Sequence, residues 1–93
     1  MNELRLEIDK ETAKGQYANL ALIAHNRNEF FLDFVLMQPQ QGSAMVASRI
    51  IVSPSHAKAL LRSLAENLQR YEDNFGLIPE NTEPQNIQPS GQA

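Results

Sequence analysis

The hydrophobic period of this chain changes once, at Ser53-Pro54, and that change fixes its fold class. Before it, apolar residues recur at every second position; after it, at every third or fourth. A period of two belongs to a strand with two faces, and a period of 3.6 to a helix with one stripe. Strands that are completed before a single helix begins define an α+β protein with an antiparallel sheet.

The helix is bounded by local chemistry at both ends. Ser53 is a capping residue, and Pro54 suits the first helical position, where its missing N–H removes no hydrogen bond. Ala57, Leu60, Leu61, Leu64, Leu68, Tyr71 and Phe75 then follow at helical spacing and form one apolar stripe. Lys58, Arg62, Glu66, Gln69, Arg70 and Asp73 take the other side. Arg62–Glu66 and Glu66–Arg70 are four apart and can pair weakly. Gly76 supplies the positive-φ residue that ends the helix. The span from Pro54 to Phe75 is about 33 Å long at 1.5 Å per residue, enough to cross a four-stranded sheet.

Four strands are predicted ahead of it. Residues 3–8, ELRLEI, alternate strictly, with Leu4, Leu6 and Ile8 on one side. A polar connection, 9–16, leads to a second strand from Tyr17 to His25. Asn26-Arg27-Asn28 is turn chemistry, and the third strand runs from Glu29 to Gln38. A loop at 39–43 precedes the fourth, Ala44 to Val52. The expected fold is therefore β-β-β-β-α, with the long helix packed across one sheet face.

Centring the last hairpin on Gln41 pairs residues whose numbers sum to 82. Phe30, Leu32, Phe34 and Leu36 then share a face with Val52, Ile50, Ser48 and Val46, and this face is expected to meet the helix. The other face joins Phe31 to Ile51, Asp33 to Arg49, Val35 to Ala47 and Met37 to Met45. A three-residue turn at 26–28 adds Leu20, Leu22 and Ala24 to the first face and Ile23 and His25 to the second. A slip of one residue would exchange these sets.

The second face decides the functional reading. One helix covers one face, yet Ile23, Phe31, Val35, Met37, Met45 and Ile51 make the other apolar too. A soluble monomer seldom leaves such a patch bare. The simplest cover is a second copy of the sheet, so Ile23, Phe31, Asp33, Val35, Met37, Met45, Arg49 and Ile51 are the candidate interface of a homodimer or higher assembly. The alternative cover is the first strand or the 9–16 connection. Asp33 and Arg49 are read as a structural ion pair within that face.

Composition narrows the remaining classes. The chain has 93 residues, one domain by length, and no cysteine, which excludes disulfides, thiolate catalysis and Cys-based zinc sites. Net charge is −3, so bulk attraction to nucleic acid or anionic membranes is not expected. Arg27, Arg49, Lys58, Arg62 and Arg70 form no basic stripe, and Trp is absent. No secretory signal or membrane-length apolar run is present, so a cytoplasmic location is expected. Residues 79–93 hold three prolines and only one aliphatic side chain larger than alanine, Ile87. They are read as a disordered tail behind a single domain, residues 1–78. The tail carries Glu80 and Glu83, which takes the charge of the domain itself from −3 to −1.

Few constellations carry chemistry. His25 and His56 are the only imidazoles, and neither has triad partners or enough neighbouring ligands for a metal. Ser53, Ser55 and His56 open the helix and form a candidate anion site, although capping alone accounts for them. No Gly-rich phosphate loop is present, and no cofactor is expected.

Five strings, GQYAN at 15–19, EFFLDFVLMQP at 29–39, SRIIVSP at 48–54, HAKALLRSLAENL at 56–68 and YEDNFG at 71–76, resemble in order and spacing a family of short prokaryotic proteins, domain of unknown function 3467. The resemblance runs from Gly15 to Gly76 and implies the same strands-then-helix unit, with no established activity or catalytic residue. The topology is also similar to that of the export chaperone SecB, whose relatives hold unfolded clients on apolar grooves. The expected function is a non-enzymatic homo-oligomer that contacts other proteins. The alternatives are a SecB-like client binder, and a small anion- or ligand-binding subunit using Asp33, Arg49 and the helix start.

Overall fold

A computed structural model describes residues 3–80. In chain order the elements are α1 (Lys10–Lys14), β1 (Leu20–His25), β2 (Phe30–Gln38), a 3-10 turn (Pro39–Gln41), β3 (Ser43–Val52) and α2 (Pro54–Phe75). The strands form one three-stranded sheet in the order β1-β2-β3. The described residues divide into two compact units, 3–22 with 33–49 and 23–32 with 50–80. The tail expected over 79–93 lies, from residue 81 on, outside the described residues.

The architecture is α+β with an antiparallel sheet and a long C-terminal helix, but the sheet has three strands rather than the four expected. Residues 3–8 pair with no strand. Leu4 and Leu6 are 95% and 101% exposed, and Ile8 67%. Alternation prepares a segment to lie on a sheet edge but does not supply the edge. The 9–16 connection instead contains a short helix, capped by the Asp9 carboxylate, which accepts the Thr12 N–H at 3.3 Å. A hydrogen bond from the Thr12 side chain, and after it this backbone bond, hold the Asp9 carboxyl below its ordinary value.

In the unit of 23–32 and 50–80, the β1–β2 turn is tighter than the sequence indicated. The Asn26 N–H donates to the Glu29 carbonyl at 3.0 Å. Asn26 Oδ1 accepts from the N–H groups of Asn28 and Glu29, at 2.8 and 2.9 Å. Asn26 is thus the last paired residue of a two-residue hairpin, not the first residue of a three-residue loop. His25 consequently stands beside Phe30 rather than Glu29, and their rings stack with centroids 5.2 Å apart.

The helix begins and ends where its caps direct. Ser53 Oγ accepts the His56 N–H at 3.2 Å. At the other end Gly76, with φ 97° and ψ 169°, donates its N–H to the Glu72 carbonyl. The Arg62–Glu66 and Glu66–Arg70 pairs do not form; the contacts along the polar side are Gln69 Nε2 to Asp73 Oδ1 and Asn67 Nδ2 to the Ser63 carbonyl. The stripe is not covered as expected. Leu60, Leu64, Leu68 and Tyr71 are 45–55% exposed, and Leu61 and Phe75 69% and 75%.

Candidate self-association surface

In the unit of 3–22 and 33–49, the centre of β2 holds the most enclosed of the described residues. Val35 is 2% exposed and Asp33 7%. A carboxylate at that depth needs a partner, and it has one. Arg49 on β3 donates from Nε to Asp33 Oδ1 at 2.7 Å and from its second terminal nitrogen to Asp33 Oδ2 at 2.8 Å. This is the fork-to-fork geometry that suits guanidinium and carboxylate. The expected ion pair therefore forms, and it places Asp33 and Arg49 on one face, as the β2–β3 pairing required. The Arg49 hydrogen bond is the main cause that holds the Asp33 carboxyl below its ordinary value, and it outweighs the burial that would raise it. The reciprocal bond raises the Arg49 guanidinium.

A second device in this unit has no counterpart in the expected strand pattern. The Asn19 side chain accepts the Met37 N–H at 2.8 Å and donates to the Met37 carbonyl at 3.1 Å. Its amide thus acts as a surrogate peptide group, extending the β1–β2 ladder past the end of β1. The Asn19 N–H itself donates to the Val35 carbonyl at 3.0 Å. No sequence signal points to this role: the strand expected from Tyr17 takes in Asn19, whereas β1 begins at Leu20.

Val35, Met37, Asp33, Met45 and Arg49 are thus brought onto β2 and β3 with the alternation expected of one face. Met37 is half-buried and Met45 74% exposed. Phe31, half-buried, and Ile51, 51% exposed, belong to the other unit, on the same strands. Ile23, on β1, is 65% exposed, and Leu22 36%, whereas Leu20 and Ala24 of the same strand are half-buried.

The helix-start residues are drawn together by capping. Ser53 Oγ lies 3.3 Å from Ser55 Oγ and 3.2 Å from His56 Nδ1, besides accepting the His56 N–H. Their polar groups serve one another. Among the described residues, no group of three or more His, Cys, Asp or Glu is placed to hold a metal ion, and no helix is long and apolar enough to cross a membrane.

An antiparallel meander that ends in one long helix, with a satisfied ion pair set into an apolar face, defines a small α+β protein. The chain belongs to the family of proteins of unknown function DUF3467, whose model matches residues 1–80. The match takes in residues 3–8 and α1 as well as the sheet and α2. No curated protein matches the chain. No solved structure matches it either.

Proposed function

We propose that this protein is a non-enzymatic homo-oligomer, assembled in part through the sheet face that carries Asp33, Val35, Met37, Met45 and Arg49, and that the assembly contacts other proteins. The observation that supports this most is the near absence of a core within one chain. Among the described residues the buried apolar side chains are Leu32 and Val35. On the sheet, Ile23, Phe34, Met45, Val46, Ile50 and Ile51 are between 38% and 74% exposed. Ordering each residue costs about 1–2 kcal/mol, and burial at this level does not offset that for a whole chain. Chains built this way gain their missing burial by association, and their stability is then inseparable from their concentration.

The ion pair fits that role. Both Asp33 oxygens are engaged by Arg49, so a second copy can cover the carboxylate without leaving its charge unpaired. The same engagement speaks against Asp33 as a catalytic base or ligand anchor. The test is Met45→Glu. Met45 is exposed in the single chain, so a charge there leaves the fold intact but is incompatible with an apolar interface. Light scattering after gel filtration is expected to show a lower mass than the parent chain at an unchanged circular-dichroism spectrum. An unchanged mass removes this face from the assembly. The client-binding reading rests on the same exposed apolar residues, and is favoured if the assembled protein suppresses aggregation of a test protein and binds an apolar dye.

A further inference from the structure

The charges of α2 run against its own dipole. A helix favours acids at its N-terminus and bases at its C-terminus. α2 has no acid in its first turn and no base in its last. Its first half carries Lys58 and Arg62 without an acid; its second half carries Glu66, Arg70, Glu72 and Asp73. The first half is thus net positive and the second net negative, and both arrangements weaken the helix taken alone.

A second copy of the same helix, running antiparallel, reverses that balance. It places each basic half beside an acidic half and opposes the two dipoles. The stripe suits this arrangement because it is nearly symmetric about residue 66. Ala57 mirrors Phe75, Leu61 mirrors Tyr71 and Leu64 mirrors Leu68. In a twofold pair each of these meets its mirror position on the other helix, and each contact occurs twice. The stripe's leucines and aromatics are 45–75% exposed in the single chain.

One charge pair lies within two residues of that register, about 3 Å along the axis. Lys58 and Glu72 are fourteen residues apart, close to four helical turns, and so lie along the same flank of the stripe. Lys58 has no ion-pair partner among the described residues. Glu72 is half-buried, and its Oε2 accepts the Ile78 N–H at 2.9 Å, which fixes the carboxylate and leaves Oε1 for another donor.

We propose that α2 is a docking face for α2 of a second copy, antiparallel and centred near Glu66, with Lys58 of each chain against the partner's Glu72. This interface is carried by a different observation from that of the sheet face.

The test is a charge exchange at low ionic strength, where surface charges are least screened. Lys58→Glu alone and Glu72→Lys alone each set like charges together, and each is expected to weaken self-association by about tenfold or more in sedimentation. Mixing the two variants is expected to restore it, as is the double exchange in one chain. Both substitutions improve the helix's agreement with its own dipole, so lost assembly cannot be assigned to a weaker helix. A second arm uses the absence of cysteine from the chain. Ala57→Cys and Phe75→Cys chains, mixed and oxidised, are expected to cross-link to each other and neither to itself. Unchanged association of both charge variants, failure of the mixture to recover, or self-cross-linking at position 57 overturns the proposal. Met45→Glu reports on the sheet face alone, so failure of one interface is distinguishable from failure of the other.

Discussion

Arg49 holds both carboxylate oxygens of Asp33, at 2.7 and 2.8 Å, across two strands and within an otherwise apolar face. The carboxylate is nearly enclosed, while the Arg49 side chain is 38% exposed. The pair therefore spans from the covered centre of β2 to a surface that a second copy can cover.

The pair makes stability depend on acid in a definite direction. The Asp33 carboxyl titrates below its ordinary value in the folded protein, because the Arg49 hydrogen bond stabilises the charged form. Over that window the unfolded chain binds more protons, so stability rises with pH. The contribution is complete above the unfolded value and lost as pH falls through the folded one. Thermal melts of the parent chain and Asp33→Asn, taken from neutral pH downward, are expected to differ most above about pH 4 and to converge below it. A constant difference across that range contradicts the assignment.

The helix caps have separable effects. Ser53→Ala removes the acceptor for the His56 N–H and is expected to cost about 1 kcal/mol in chemical denaturation. Ser53→Asp keeps an acceptor and is expected to stay within a few tenths of the parent, whereas equal losses for the two would show that the cap hydrogen bond contributes little.

Gly76→Ala tests the backbone rather than packing. No atom lies within 4 Å of where a Cβ would stand, but φ 97° with ψ 169° is a region that essentially only glycine enters. The expected loss is about 1–3 kcal/mol, read from the denaturation midpoint at an unchanged slope. A neutral substitution would mean that the chain leaves the helix by another path.

Asn19 is expected to act as part of the sheet. Asn19→Ala deletes two hydrogen bonds to the Met37 backbone, at about 0.5–1.5 kcal/mol each, and hydrogen exchange at the Met37 amide is expected to accelerate. Asn19→Asp keeps the acceptor for that amide and loses only the donor to the carbonyl, so it should protect Met37 better than alanine does. Equal exchange in the two variants would contradict the surrogate-peptide role.

What could be read from the residues was whatever local chemistry decides. Ser53-Pro54 and Gly76 determine where α2 starts and stops, and they do so without help from the rest of the fold. The Asp33–Arg49 pair was legible because the β2–β3 hairpin has one well-placed turn, and every pairing follows from it. The first hairpin was misread by one residue, since Asn26 has turn chemistry in its side chain while its backbone belongs to the strand. Residues 3–8 were misread for another reason: Leu4, Leu6 and Ile8 show that the segment can lie on a sheet, but not that an edge is offered to it within the same chain. The stripe of α2 likewise identifies what must be buried and says nothing of what buries it. Both failures are non-local, and both leave apolar surface that one chain does not cover.

That uncovered surface is the centre of the account, and the mass of the protein in solution tests it most directly. Light scattering after gel filtration at micromolar concentration is expected to give a multiple of the 10.5 kDa chain mass. A mass of 10.5 kDa, from a cooperatively folded sample, would contradict it.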